Sequence, residues 1–290
     1  MRRLGWGAGL GLAAILAVPG LPQPSTEPAA ASTGDDVLAR LTARAALYRS
    51  SVLRFACTEL LFEEKVEATS GAPRSARDTT YRYLLQTEPD RPEVSEYREM
   101  LAQDGVPVRP SPEVIQTFSP PPYLWATLFD GSRQNLFRFE VVGAERRGVT
   151  DTLIVSFSGL LGFEDGRRLA EWSGRMWVDR DHLNPIHVEA EPARQVAALA
   201  MQLEEYRKAF RIGGLRLKAR PRAYGIRVDF LVARHGLTFP SQAVWRQDVL
   251  SDRGDRSTVR LVRQEFSDYR FFDIRTEETM DGEVEPEPQP

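Results

Sequence analysis

Three histidines, one cysteine and many carboxylates are the side chains of this sequence that could do chemistry. His187, Glu189 and Glu191 alternate along one segment, so on a β-strand they share a face, with neighbours about 6.5–7 Å apart. An imidazole and carboxylates are metal ligands, but same-face residues of one strand do not converge on an ion without a partner from elsewhere. We therefore interpret the three as the polar face of a strand and predict no metal site.

The remaining candidates do not form a recognisable catalytic set. His182 and His235 lie in segments that we predict to be solvated turns. The sequence contains no HExxH, no GxSxG and no Walker-type glycine loop, and these are the signatures of metalloproteases, serine hydrolases and nucleotide-binding enzymes. We predict no catalytic residues and no cofactor. A pair of carboxylates acting as acid and base, as in glycosidases, remains an open alternative.

The charge balance excludes some classes of partner. Lys and Arg total 38 and Asp and Glu total 41, which gives a formal charge of −3. No basic field is available to attract nucleic acid. The segment 276–290 carries six acidic residues and no basic one, and it lacks the apolar content that folding requires. We predict a disordered acidic tail that either improves solubility or docks to a partner.

The N-terminus predicts export. Two arginines, an apolar stretch and a segment of small residues follow one another over 1–31, in the order typical of a secretory signal peptide. The alternative is an uncleaved anchor, but the apolar stretch is shorter than the roughly 20 residues of a membrane span. We expect a periplasmic or secreted mature chain with no stable membrane span. Its single cysteine, Cys57, predicts a packed strand residue or, alternatively, an intermolecular disulfide.

Helical periodicity appears in two places. Val37, Leu41, Ala45 and Tyr48 have the spacing of a helix over about 36–50. A second helix is predicted over 193–214, where strong helix formers end in two glycines. A short helical turn is predicted at about 93–102. The segment 104–124 holds six prolines, and we predict an ordered surface loop anchored by its few apolar residues, which are Val114, Ile115, Phe118, Tyr123 and Leu124.

The rest of the chain reads as strands. Segments such as "LRFACTELLFEEKVEA", "DTLIVSFSGL" and "STVRLVRQEFSDYRFFD" are rich in aromatic and β-branched residues. Short charged turns join them, and tight turns allow only antiparallel neighbours. We predict one α+β domain over 34–275, a large curved antiparallel sheet with the N-terminal helix and the second helix covering one face.

One hairpin of this sheet has a distinctive pattern. Residues 174–185 combine Gly174, Trp177, Asp179 and Pro185 in the order Gly-x-x-Trp-x-Asp, turn, Pro. This pattern resembles the LolA-like superfamily of periplasmic lipoprotein carriers and related lipid-binding proteins. The resemblance implies an unclosed half-barrel lidded by helices, whose concave apolar face shelters acyl chains.

A second pattern lies earlier in the chain. Phe55, Cys57 and Glu59 resemble an "FxCxE" strand of uncharacterised secreted proteins, and this likeness implies no function.

These observations support three hypotheses of function. The first is a non-enzymatic carrier or binding protein of the cell envelope for an acyl-chain or lipoprotein-like ligand. The second is an envelope interaction or sensor module whose protein partner contacts the Pro-rich loop and the acidic tail. The third is a carboxylate-dependent hydrolase. For the first, the predicted ligand-binding residues, chosen by strand position, are Phe137, Phe139, Val155, Phe157, Met176 and Val178.

Overall fold

Among the described residues, one helix precedes the sheet. The computed structural model describes residues 34–51, 54–67, 70, 72–87, 94–112, 121–162, 169–193, 201, 204–205, 208, 222–251 and 255–272. Helix α1 spans Gly34–Ser51, which confirms the predicted N-terminal helix. Its buried stripe is formed by Val37, Leu41, Ala45 and Tyr48, because residues three and four apart lie on one face of a helix. None of the described helices is long and apolar enough to cross a membrane.

Thirteen strands follow α1 in the described part of the chain. They are β1 (Arg54–Val66), β2 (Pro73–Thr87), β3 (Val94–Gln103), β4 (Val106–Pro112), β5 (Phe137–Arg147), β6 (Thr150–Gly162), β7 (Leu169–Asp179), β8 (Pro185–Pro192), β9 (Arg222–Asp229), β10 (Val232–Arg234), β11 (Leu237–Phe239), β12 (Gln242–Leu250) and β13 (Arg256–Phe271). Two 3₁₀ helices, Pro122–Thr127 and Gly131–Leu136, lie between β4 and β5.

Eleven of these strands form one antiparallel sheet in the order β4-β3-β2-β1-β13-β12-β9-β8-β7-β6-β5. Strands β10 and β11 form a separate hairpin. Two meanders, β1 to β4 and β5 to β13, join where the last strand pairs with the first. Strands β4 and β5 are the two edges, so the sheet is an unclosed half-barrel. The α+β fold class is thereby confirmed.

Two local predictions were wrong. The helical turn predicted at about 93–102 is replaced by strand β3, which spans Val94–Gln103. Residues 106–112 of the predicted loop form β4, and an edge strand tolerates proline because one side of its backbone has no partner strand. The second predicted helix, 193–214, lies largely outside the described residues. The signal segment 1–31 and the tail 276–290 lie wholly outside them.

The inner face of the sheet carries the core. Two rows of directly paired residues run across β5, β6, β7, β8, β9 and β12, and we call them the apolar rows. The first row is Val141, Val155, Met176, Val188, Val228 and Ala243, and the second is Phe139, Phe157, Gly174, Ala190, Ile226 and Trp245. Helix α1 and the first 3₁₀ helix belong to the same buried cluster as these rows.

Polar contacts fix α1 against the β10–β11 hairpin and the turn before β8. The Tyr48 hydroxyl donates to the Thr238 carbonyl oxygen at 2.9 Å and accepts from the Thr238 N–H at 2.8 Å. Arg44 Nε donates to the side-chain oxygen of Asn184 at 2.8 Å, and Asn184 Nδ2 donates to the Gly236 carbonyl at 3.1 Å. Burial raises the pKa of Tyr48 to about 12, so its hydroxyl keeps its proton and remains a donor.

Candidate functional site

The six predicted ligand-binding residues lie on one side of the sheet. Val155, Phe157, Met176 and Val178 are buried in the main hydrophobic cluster together with Phe137, and Phe139 packs against that cluster. Paired residues of neighbouring strands place them side by side, with Val155 opposite Met176 and Phe139 opposite Phe157. Their role as ligand contacts remains a prediction.

The chain between β4 and β5 supplies aromatic residues that the sequence analysis did not select. Trp125, in the first 3₁₀ helix, lies 5.6 Å from Trp172 and 5.7 Å from Phe157 between ring centroids. Both tryptophans are fully buried, and neither indole N–H has a hydrogen-bond acceptor among the described residues. We call Trp125 and Trp172 the indole pair. A buried donor without an acceptor costs about 1–3 kcal/mol, so a ligand oxygen at this place would gain that free energy.

Gly174 of the hairpin pattern is required by close approach of strands. A Cβ at this position would lie 2.1 Å from the Glu189 carbonyl oxygen and 2.8 Å from the Phe157 ring. Both distances are shorter than van der Waals contact, and the first involves backbone that cannot yield. The absence of a side chain therefore lets Phe157 and the neighbouring strand β8 pack tightly at the centre of the second apolar row.

The other members of the pattern build the turn and the outer face. The Asp179 carboxylate accepts hydrogen bonds from the backbone N–H groups of Asp181 and His182, both at 2.8 Å, so it holds the turn before β8. Leu183 has a φ of 58° there. Trp177 lies on the outer face, 5.1 Å from His187 between ring centroids. Gly174, Trp177 and Asp179 thus each have a structural role in the hairpin.

A second site lies at the other end of the inner face, and we call it the buried ion cluster. Arg98 Nε on β3 donates to Glu59 Oε2 on β1 at 2.6 Å, and Arg98 NH1 lies 3.4 Å from Glu96 Oε2. Gln264 Nε2 on β13 donates to Glu59 Oε1 at 2.6 Å, and the Tyr83 hydroxyl on β2 donates to Glu96. The exposed fraction is 0% for Glu59, 5% for Arg98 and 1% for Gln264.

Burial dominates the electrostatics of this cluster. It raises the pKa of Glu96 above the ordinary value, although Arg98 and the Tyr83 hydroxyl oppose that change. Burial by itself would lower the pKa of Arg98, but the Glu59 and Glu96 carboxylates raise it above the ordinary value. Arg98 therefore stays charged, and Glu96 binds a proton more readily than an exposed glutamate does.

The outer face holds a different charged cluster, around His187. Its Nδ1 lies 2.5 Å from Asp229 Oδ1, and its Nε2 lies 3.2 Å from Glu189 Oε1. Arg227 NH2 donates to the same Glu189 oxygen at 2.9 Å. The hydrogen bond with His187 lowers the pKa of Asp229. Burial would raise the pKa of Glu189, but His187 and Arg227 outweigh it and lower that pKa.

Sequence reasoning found only part of the His187 cluster. Glu189 contacts His187 as the alternation of residues implied, whereas Glu191 contacts Arg256 at 3.0 Å. Asp229 comes from β9, 42 residues away, and no local pattern signals it. Within the described residues, no group of three or more His, Cys, Asp and Glu side chains could hold a metal ion.

A shallow groove of about 510 Å³ lies on the same outer face. Gly225 and Ser173 give it depth, because a Cβ at Gly225 would have its nearest neighbours 3.8 Å away. Its charged rim consists of Arg175, Glu189, Glu191, Arg227 and Arg246. Most of these charges are paired, for example Arg246 with Asp248 at 3.0 Å.

Cys57 lies on the inner face beside Tyr83 of β2. It is buried, as predicted for a packed strand residue. Burial raises the pKa of its thiol, and a thiol is a poor nucleophile compared with a thiolate. Of the early "FxCxE" pattern, Phe55 and Cys57 therefore pack in the core, while Glu59 belongs to the buried ion cluster.

The chain was compared with known proteins. No family model matches it, and no curated protein matches it. Among solved structures, it is similar to a LolA superfamily protein from Nitrosomonas europaea, with 11% identity, a TM-score of 0.36, and coverage of 84% of this chain and 96% of that one. It is also similar to a DUF1329 family protein from Desulfovibrio piger, with 10% identity, a TM-score of 0.38, and coverage of 82% and 91%.

A third solved structure is MucB in complex with MucA, with 12% identity, a TM-score of 0.23, and coverage of 81% of this chain and 98% of that one. Identities this low concern the fold alone.

Proposed function

We propose that this protein is a non-enzymatic binding or carrier protein of the cell envelope, whose inner sheet face takes an acyl chain. One observation carries the proposal: the two apolar rows run without a charged residue across six adjacent strands. An acyl chain gains about 25 cal/mol for every Å² of its own apolar surface that such a face removes from water. A surface of this kind binds by area and shape rather than by chemistry.

The indole pair adds a polar anchor to this surface. An acyl ligand carries a carboxyl or ester oxygen, which is an acceptor, and the indole N–H groups of Trp125 and Trp172 are buried donors without one. A ligand oxygen there restores a hydrogen bond that is worth about 0.5–1.5 kcal/mol, or more if the oxygen is charged. The acyl chain of the ligand and its carboxyl or ester oxygen would then both lie on the inner face of the sheet.

Native mass spectrometry followed by lipid extraction tests the proposal. The chain is purified from the envelope fraction of its own host. The measured mass of the purified chain also shows whether the predicted signal peptide has been cleaved. Co-purifying acyl species in near-stoichiometric amount support the carrier function. If the measured mass is that of the ligand-free protein and added palmitate does not bind, the carrier function is contradicted. A co-purifying protein in place of a lipid would favour the interaction module.

A matched pair of variants tests the anchor. Trp172→Phe removes a buried indole N–H on the inner face, and Trp177→Phe removes one on the outer face. We expect Trp172→Phe to weaken palmitate binding by about tenfold, the equivalent of one hydrogen bond to a charged oxygen. Trp177→Phe should leave the affinity unchanged. Equal effects of the two substitutions would contradict the placement of the ligand on the inner face.

A further inference from the structure

The buried ion cluster has an uneven count of charges. Among the described residues, Arg98 is the cation that contacts both Glu59 and Glu96. With both carboxylates ionised, these three side chains carry one excess negative charge. A buried charge without a partner is far more costly than a paired one. The cluster therefore favours any additional positive charge that can reach it.

Gln264 provides a second and independent observation. Its amide nitrogen donates to Glu59 Oε1 at 2.6 Å, and this bond fixes the orientation of the amide because an ionised carboxylate only accepts hydrogen bonds. The amide oxygen of Gln264 is then the free end, and it is buried without any donor from the part of the chain that the structure describes. The cluster lacks both a positive charge and an N–H or O–H group.

The position of the cluster connects it to the apolar rows. Gln264 pairs directly with Ala243 of β12, the last member of the first apolar row, and with Leu61 of β1 on its other side. An acyl chain that follows this row towards β13 arrives at the Gln264 side chain. The polar cluster thus lies where the apolar surface ends, which is the arrangement that an amphiphile requires.

We propose that the buried ion cluster is the head-group subsite of this protein and takes the primary ammonium group of an amphiphile whose acyl chain lies on the apolar rows. The proposal rests on the proposed function of the apolar rows and not on the indole pair, which lies at the other end of the inner face. An ammonium supplies the positive charge that Glu59 and Glu96 lack and an N–H donor for the Gln264 oxygen. A trimethylated ammonium supplies the charge but no N–H donor, so it satisfies only half of the site.

The test uses two lysophospholipids with the same palmitoyl chain and phosphate, one with an ethanolamine and one with a choline head group. We expect the wild-type chain to bind the ethanolamine form at least about tenfold more tightly, because charge-assisted hydrogen bonds are the strong ones. Glu96→Gln removes a carboxylate that attracts both cations but accepts an N–H only from the primary ammonium, so it should weaken the ethanolamine form more than the choline form and bring the ratio of the two dissociation constants closer to one. The control Glu99→Gln removes the same charge from the same strand on the opposite face, where Glu99 contacts the exposed Arg82, and should keep the wild-type ratio.

The outcomes separate the two proposals. If both lipids bind equally well to the wild-type chain, or if Glu96→Gln keeps the preference, the head-group subsite is wrong and the proposed function stands. If neither lipid binds, both proposals fail. Gln264→Leu is the second variant if Glu96→Gln does not fold, as judged by circular dichroism, and it should also abolish the preference.

Discussion

The inner and outer faces of the sheet each surround a basic side chain with two carboxyl groups, yet the pKa of Glu96 on the inner face and those of Asp229 and Glu189 on the outer face move in opposite directions. On the inner face, burial raises the pKa of Glu96. On the outer face, hydrogen bonds with His187 lower the pKa of Asp229 and of Glu189. The ingredients are alike, so the difference comes from access to water. A carboxylate beside water keeps most of its hydration, so a hydrogen-bonded or positively charged neighbour lowers its pKa. A buried carboxylate loses its hydration, and this loss raises its pKa by more than such a neighbour lowers it.

The largest expected effect comes from removing the inner cation. Arg98→Met leaves Glu59 buried without its partner and should lower the free energy of unfolding by about 3–5 kcal/mol. Urea denaturation at pH 7 measures this change. The matched outer variant, Arg227→Met, removes a side chain that is 58% exposed and forms an ion pair with Glu189, and it should cost less than about 1 kcal/mol. Similar losses for the two variants would remove the distinction between the faces.

A comparison of two glycines tests packing on the same two faces. Gly174→Ala places a Cβ against the backbone of β8, and overpacking of this kind costs about 1–3 kcal/mol. Gly225→Ala places a Cβ into the open groove on the outer face and should be neutral or slightly stabilising, because alanine has less backbone entropy to lose. Thermal denaturation of both variants provides the measurement. A stable Gly174→Ala protein would contradict the close approach of β7 and β8.

The pH dependence of the free energy of unfolding tests the raised pKa of Glu96 on the inner face. Its pKa is raised in the folded state, so the folded chain holds a proton that the unfolded chain has released. The free energy of unfolding should therefore fall as the pH rises from the ordinary value of 4.5 through the folded-state value. In Glu96→Gln this decline should be smaller. Chemical denaturation between pH 4 and pH 8 measures it, and Glu99→Gln serves as the control with the wild-type slope.

The smallest effect belongs to Asp229, and its sign is the reverse. Its pKa is lowered by His187, so its contribution to stability is complete above the ordinary value of 3.8 and is lost as the pH falls through the lower folded-state value. Asp229→Asn should remove about 1 kcal/mol at pH 7 and less under acidic conditions. Asp151→Asn, at a largely exposed carboxylate, should change nothing. If the free energy of unfolding falls at acidic pH in Asp229→Asn as it does in the wild-type chain, the contact with His187 does not stabilise the fold.

The periodicity of apolar residues in the sequence was sufficient to predict much of the fold. The spacing of Val37, Leu41, Ala45 and Tyr48 identified α1, and alternation identified most of the central strands. Strand β3 was missed because "EYREMLAQ" consists mainly of good helix formers, and pairing with β2 overrides that propensity. Strand β4 was missed because its prolines suggested a loop, and they are compatible with a strand only at the edge of a sheet.

The candidate sites were harder to predict from the sequence than the fold was. The six apolar residues followed from strand position, since alternation fixes which residues share a face. The buried ion cluster brings together Glu59, Arg98 and Gln264, which are separated by 39 and 205 residues along the chain in the two contacts that join them. Such contacts follow from the strand order β3-β2-β1-β13, and no local pattern encodes that order.

The pairing of β1 with β13 also determines when the molecule can complete its fold. Strand β1 starts at Arg54 and its neighbour β13 starts at Arg256, so one edge of the first meander stays open until nearly the whole chain has been synthesised. Contacts of such long sequence separation make folding slow. Until β13 arrives, β1 and β12 present unpaired backbone, so the nascent chain is more exposed to aggregation and to chaperones than the finished sheet is.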